Sequence, residues 1–136
     1  MIMLPAPNKI PTISDARGTL AIAEVGETLP FHVARAFIIY DTPGRIDRGG
    51  HAHRTCEQFM IAICGSVGII VDDGKHRCEH RLDRPDVGLH VPAGIWCEQH
   101  YPAPESRLLV LASEPYDEAD YIRNRGDFLR FKDGNG

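Results

Sequence analysis

His51 and His53 stand two residues apart in Arg48-Gly49-Gly50-His51-Ala52-His53-Arg54, so on an extended strand both imidazoles project from the same face. A neutral imidazole, with an ordinary pKa of about 6.5, takes or delivers a proton at physiological pH. Two such rings on one face can work on one ligand. Arg48 precedes His51 by three residues, and Asp15-Ala16-Arg17-Gly18 offers another guanidinium at the entrance to a strand. Guanidinium groups suit forked contacts with phosphate oxygens. Together these residues describe a site for an anionic sugar nucleotide beside a pair of proton-transfer groups.

Further along, Gln58 and Gly65 follow the histidines, and Pro92-Ala93-Gly94 precedes Cys97. The layout resembles the two cupin motifs, in which a histidine pair, an acidic residue and a later histidine converge inside a barrel. In metal-binding cupins those side chains are ligands, and the set suits iron, manganese, nickel or zinc. Here Gln58 holds the carboxylate slot and Cys97 the last histidine slot, so no metal is assigned. His51, His53, Glu57 and Cys97 remain an alternative four-ligand set if the strand register brings Glu57 inward. His76, Cys78 and His80 share one strand face without a fourth ligand and read as an ordinary hairpin face.

The elements that must hold this site follow from composition and punctuation. A chain of 136 residues with 43% apolar content supports one core. The expected organisation is a single domain over 1–136, with its core at about 9–132 and loose ends at 1–8 and 133–136. Fifteen basic against nineteen acidic side chains give a net charge of −4, which argues against nucleic-acid or anionic-membrane partners. The opening Met1-Ile2-Met3-Leu4-Pro5 lacks the layout of a secretion signal, and no apolar run is long enough to span a bilayer, so a cytoplasmic location is expected. Cys56, Cys64, Cys78 and Cys97 form no CxxC pair and read as reduced thiols.

Thirteen glycines and ten prolines separate short runs rich in Val and Ile, the pattern of many short strands. Strands are expected at 18–24, 33–40, 57–64, 66–72, 75–81, 87–91, 95–100 and 106–112. Turn signals lie between them at Pro43-Gly44, Gly49-Gly50, Asp73-Gly74 and Pro92-Ala93-Gly94. Asp72-Asp73-Gly74 in particular predicts a hairpin joining its two flanking strands. The fold class is all-β, a cupin-type jelly-roll barrel. A short C-terminal helical segment is expected from Tyr116–Arg123 and Asp127–Phe131, broken at Gly126.

The chain as a whole resembles the sugar 3,4-ketoisomerases acting on dTDP-4-keto-6-deoxyglucose. The likeness runs from about Ile13 to Phe131. It is carried by the 48–54 segment, by Val71-Asp72-Asp73-Gly74, by Val87-Gly88-Leu89 with Pro92 and Trp96, and above all by Leu111-Ala112-Ser113-Glu114-Pro115-Tyr116-Asp117-Glu118-Ala119-Asp120-Tyr121-Ile122-Arg123. The resemblance implies an isomerase without metal or cofactor, active on a dTDP-linked 4-keto-6-deoxyhexose as a homodimer that exchanges N-terminal strands. It implies His51 as principal acid/base with His53 as its partner. Arg17, Arg35, Arg48, Tyr40, Gln58, Trp96 and Cys97 are the expected substrate-binding residues. Two departures stand out. Relatives often carry tyrosines where this chain reads Arg35-Ala36-Phe37-Ile38, and often read Trp-His-Glu where it has Trp96-Cys97-Glu98. Two alternatives stay open: a metal-dependent cupin enzyme using the His51, His53, Glu57 and Cys97 set, and a non-catalytic sugar-binding cupin, which Cys97 and Phe37 support.

Overall fold

The computed structural model describes residues 4–134. Strands β1 (Asn8–Lys9), β2 (Thr12–Asp15), β3 (Gly18–Ala21) and β4 (Arg35–Ile39) open the chain, followed by β5 (Ile46–His53), β6 (Gln58–Cys64) and β7 (Val67–Asp72). Then come β8 (Arg77–Leu82), β9 (Val87–Val91), β10 (Trp96–Tyr101) and β11 (Arg107–Ala112). A single 3-10 turn (Glu118–Asp120), a two-residue β12 (Tyr121–Ile122) and helix α1 (Arg125–Lys132) complete it. Two five-stranded antiparallel sheets, ordered β1-β9-β6-β11-β4 and β12-β5-β10-β7-β8, face each other as a jelly roll, and β2-β3 form a separate hairpin.

Alternation decides which residues lie between the sheets. Val67, Ile69 and Val71 of β7 and Leu108 and Val110 of β11 are fully buried and meet Met60, Leu89, Cys97 and Tyr101 in the main core. The outer face of the second sheet has its own small core. There Ala52, Trp96 and Ile122 are closed over by Phe128 of α1. On the opposite side, Ile10, Leu29 and Phe31 cover the outward Phe59 and Ile61.

The Asp73-Gly74 turn joins β7 and β8 as expected, with Asp72 across from Arg77, Gly74 at φ +98° and the Asp73 carboxylate accepting from the Lys75 and His76 amides. Two readings are corrected. Gly49-Gly50 is not a turn between strands but lies inside β5, where φ values of +85° and +71° form a bulge. Gly126 does not break a helix; it sits in the first turn of α1, whose N-cap Asn124 accepts from the Asp127 amide, and residues 116–124 outside that helix form only the 3-10 turn and β12. His76 lies in the β7–β8 turn, and His80 Nε2 pairs with the Pro5 carbonyl. The loose ends expected at 1–8 and 133–136 fall partly outside the described residues; within them, Leu4 packs against the main core and β1 pairs with β9. No helix among the described residues is long and apolar enough to cross a membrane.

Candidate active site

Strand registers carry the histidine pair into the barrel. Ala52 points outward to Trp96 and Phe128, so its neighbours His51 and His53 point inward. His51 stands across β10 from Cys97, and His53 stands across β12 from Tyr121. The Gly49-Gly50 bulge then shifts the register between Cys97 and Glu98, which puts Arg48 across from Gln99. Without that extra residue Arg48 would face outward; with it, Arg48 and His51 line one cavity.

That cavity, of about 290 Å³, is bounded by Phe37 and Ile39 of β4, Arg48, Gly49 and His51 of β5, Gln58, Gln99, Tyr121 and Arg123. The two imidazoles meet edge to face with centroids 5.0 Å apart. Tyr121 packs on both, at 5.0 Å from His51 and 4.3 Å from His53. Arg123 lies 4.2 Å over the Tyr121 ring and is held by two hydrogen bonds to Glu118, at 2.8 and 3.0 Å. Those bonds, with one from Tyr116, pull the Glu118 carboxyl down to about 2.

The histidines differ in their surroundings. Burial, the neighbouring His53 and the cation of Arg123 depress His51 to about 4, so its ring is neutral at physiological pH. Burial also lowers His53, but the Asp120 carboxylate opposes that shift. Nδ1 of His53 lies 2.8 Å from Asp120, which also accepts from the Thr55 amide, the Thr55 hydroxyl and the Cys56 amide. Burial pushes the Asp120 carboxyl up, and these hydrogen bonds more than offset it.

Of the residues expected at the site, His51, Arg48 and Gln58 line the cavity. Arg35 stands beside it, its guanidinium 5.3 Å from the Phe37 ring and 5.6 Å from Tyr116. Cys97 is in the same barrel but packed into the core, 3% exposed, beneath His51 rather than on the cavity wall. Trp96 is on the other face, packed at a tilt against Phe128 and donating to Glu98, because adjacent residues of β10 alternate. Tyr40 follows the outward Ile38 and is 59% exposed. Arg17, at the tip of the β2–β3 hairpin, pairs with Asp15 at 2.7 Å and does not reach this cavity in its own chain.

The alternative metal set is not assembled, since Glu57 faces outward and bonds His90 at 2.7 Å. His53, Cys56 and Asp120 do bring ligand atoms within 4.8 Å of one another. The Asp120 oxygens are already engaged by backbone and hydroxyl donors, so the cluster is built as a hydrogen-bond network. Glu118, Asp120, Tyr121 and Arg123 were not singled out from the sequence as site residues. The available signal was the density of ionisable and aromatic side chains at 116–123, quoted there only as part of a resemblance.

Fold and site define a cupin-type barrel with an inward-facing histidine pair at its cavity. The chain matches the family described as FdtA, WxcM-like, C-terminal, over residues 6–133, and it belongs to that family. It is 41% identical over 119 residues to the TDP-4-oxo-6-deoxy-alpha-D-glucose-3,4-oxoisomerase of Aneurinibacillus thermoaerophilus, covering 88% of this chain and 86% of that one. The WlaRB TDP-quinovose 3,4-ketoisomerase of Campylobacter jejuni superposes with a TM-score of 0.88 at 40% identity, covering 93% and 97% of the two chains. A histidine-to-asparagine variant of the 3,4-ketoisomerase QdtA from Thermoanaerobacterium thermosaccharolyticum, in complex with TDP-4-keto-6-deoxyglucose, superposes with a TM-score of 0.91 at 33% identity, covering 98% and 97%.

Proposed function

We propose that this protein is a sugar-nucleotide isomerase that moves the keto group of dTDP-4-keto-6-deoxyglucose from C4 to C3. One observation carries the reading from the residues upward. Among the described residues, four buried side-chain polar atoms lack a protein hydrogen-bond partner, and three of them are Arg35 Nε, His51 Nδ1 and His53 Nε2. An unsatisfied buried polar group costs about 1–3 kcal/mol, so three at one site speak for a polar ligand that satisfies them.

The chemistry follows from the substrate class. The hydrogen at C3 of a 4-keto sugar is acidic because it neighbours the carbonyl, and neutral His51 is the base that removes it. The electron pair passes to the C3–C4 bond and the charge to O4. Arg48, Arg35 and Arg123 supply the positive field that stabilises this enediolate, the largest energetic demand of the reaction. Protonation of O4, reprotonation at C4 and loss of the O3 proton give the 3-keto isomer with a hydroxyl at C4. The scheme consumes no metal or cofactor.

A cavity of about 290 Å³ lies at the low end for ligand pockets and suits the hexose rather than the whole nucleotide sugar. The nucleotide must then lie outside it, where further basic contacts are needed. The β2–β3 hairpin supports a homodimer as their source. All eight of its strand residues are exposed, and Ile13 and Leu20, cross-strand partners, are 58% and 53% exposed. A lone two-stranded ribbon is marginal in water and gains from packing on a second copy. In that arrangement Arg17 serves the partner subunit's site. The enzyme is read as cytoplasmic.

The test is to incubate the protein with dTDP-4-keto-6-deoxyglucose in deuterated water and follow the sugar by NMR. A 3-keto product with deuterium at C4 is expected. Unchanged substrate, under conditions where the Thermoanaerobacterium enzyme turns over, overturns the reading.

A further inference from the structure

We propose that Gln99 contacts the sugar, donating from its side-chain amide to the keto oxygen that becomes O4 of the enediolate, and that Tyr101 is the positioning residue that turns the amide nitrogen toward the cavity. This rests on the ketoisomerase reading and names a neutral donor at its site.

The orientation of the amide follows from its partner. Cys97, Gln99 and Tyr101 occupy alternate positions of β10, and all three are buried. The Tyr101 hydroxyl donates to Gln99 Oε1 at 2.7 Å. Burial holds this phenol far above its ordinary pKa, so the hydroxyl proton stays in place and needs an acceptor. An amide turned the other way would present an N–H to the phenol oxygen and leave that proton unpaired in the core. Gln99 therefore gives its oxygen to Tyr101 and keeps both N–H donors of Nε2 for another partner.

The cavity is where that partner belongs. Gln99 lines it, together with Arg48 and Arg123. The cross-strand neighbours of Gln99 are Arg48 and Ile69, and neither side chain can accept a hydrogen bond. The β5 bulge holds the Gln99 backbone closely, since a Cβ on Gly49 would lie 3.0 Å from the Cys97 carbonyl oxygen and 3.4 Å from the Gln99 amide nitrogen. A fixed neutral donor beside two guanidinium groups suits an oxygen that accepts without donating. The keto oxygen is one, and the enediolate oxygen that replaces it accepts more strongly as its charge develops. Gln99 neither gives nor takes a proton; it holds O4 while the proton transfers proceed.

Three variants test this in the ketoisomerase assay, with binding of dTDP alone as the control. Gln99→Met keeps the bulk and removes the donor, so kcat should fall on the order of 100-fold while dTDP affinity stays within about two-fold. Gln99→Glu should be as impaired at about pH 8 and should recover toward about pH 6, because the introduced carboxyl becomes a donor once protonated. The wild type stays level across that range, since His51 remains neutral down to about 4. Tyr101→Phe releases the amide to rotate and should lower kcat by a smaller factor, about 5-fold. Wild-type kcat in Gln99→Met overturns the proposal, as does a Gln99→Glu profile parallel to the wild type; wild-type kcat in Tyr101→Phe overturns the positioning role. Gln99→Met decides the matter if Gln99→Glu fails to fold. Absence of ketoisomerase activity in the wild type would instead sink the functional reading. The contact is then read from binding: dTDP-4-keto-6-deoxyglucose should bind more tightly than dTDP, Gln99→Met should shrink that difference, and an unchanged difference overturns the proposal.

Discussion

Cys97 and His51 face each other directly across the β5–β10 ladder, so the floor beneath the expected base is a thiol. Burial pushes that thiol up to about 12, with the nearby Glu98 carboxylate adding to the shift. It is neutral and close-packed, a filler beneath the imidazole rather than a second acid or base. Cys97 and Cys56 are buried while Cys64 is exposed. Titration of the native protein with an aromatic disulfide reagent should therefore modify Cys64 first and leave Cys97 and Cys56 untouched until denaturant is added. Rapid labelling of Cys97, located by peptide mass mapping, would show that the floor is open.

With His51 as the proposed base, its depressed pKa sets the acid limb of catalysis. A base that stays neutral down to about 4 keeps working where an ordinary imidazole is already protonated. Expected is a kcat/KM that rises with pH through about 4 and is level by pH 6. His51→Asn should remove C3 exchange, a loss on the order of 100-fold or more, with nucleotide binding retained. An acid limb centred on pH 6.5 would place the working base in a solvated setting and contradict the burial seen here.

The same shift couples folding to pH. Below about pH 6.5 the unfolded chain protonates this histidine, while the folded chain does not until about 4. The contribution is thus complete above the unfolded value and is lost as pH falls toward the folded one. His53 is lowered in the same direction, whereas the depressed carboxyls of Glu118 and Asp120 act only below about pH 4.5. Urea unfolding between pH 7 and 4.5 should show stability dropping by up to about 3 kcal/mol from His51, and His51→Asn should flatten that part of the slope. Equal slopes in the two proteins would mean that His51 is not desolvated.

Much of this architecture was legible before any coordinates. Short apolar runs between glycine and proline turns, and the Asp73-Gly74 hairpin signal, marked every strand of the two sheets except the brief β1 and β12 and the long β5. β5 was hidden because Gly49-Gly50 reads as a turn, and nothing local reveals that their positive φ values serve a bulge. The histidine pair was visible from its spacing of two. Which residues share its face was not, since that depends on register: Trp96 and Cys97 are neighbours in sequence and lie on opposite faces of β10. Asp120 and Arg123 reach the site through β12, a two-residue strand too short to show any periodicity. Asp120 meets His53 through a contact spanning 67 residues of chain, which only the folded barrel creates.

The β2–β3 hairpin carries the last prediction, because Arg17 sits at its tip, away from the cavity of its own chain. If the exposed Ile13–Leu20 pair packs on a second subunit, Ile13→Asp with Leu20→Asp should convert a dimer to a monomer in size-exclusion chromatography with light scattering. Mixing tests whether the site is shared. Arg17→Ala and His51→Asn homodimers should each be poorly active, and co-refolding them should restore roughly a quarter of wild-type activity, because half of the randomly paired dimers hold one intact composite site. Arginine acting in its own chain would give no such recovery, since every site would then carry one lesion. A monomeric wild type would remove the partner altogether and leave the nucleotide to Arg48 and Arg35 alone.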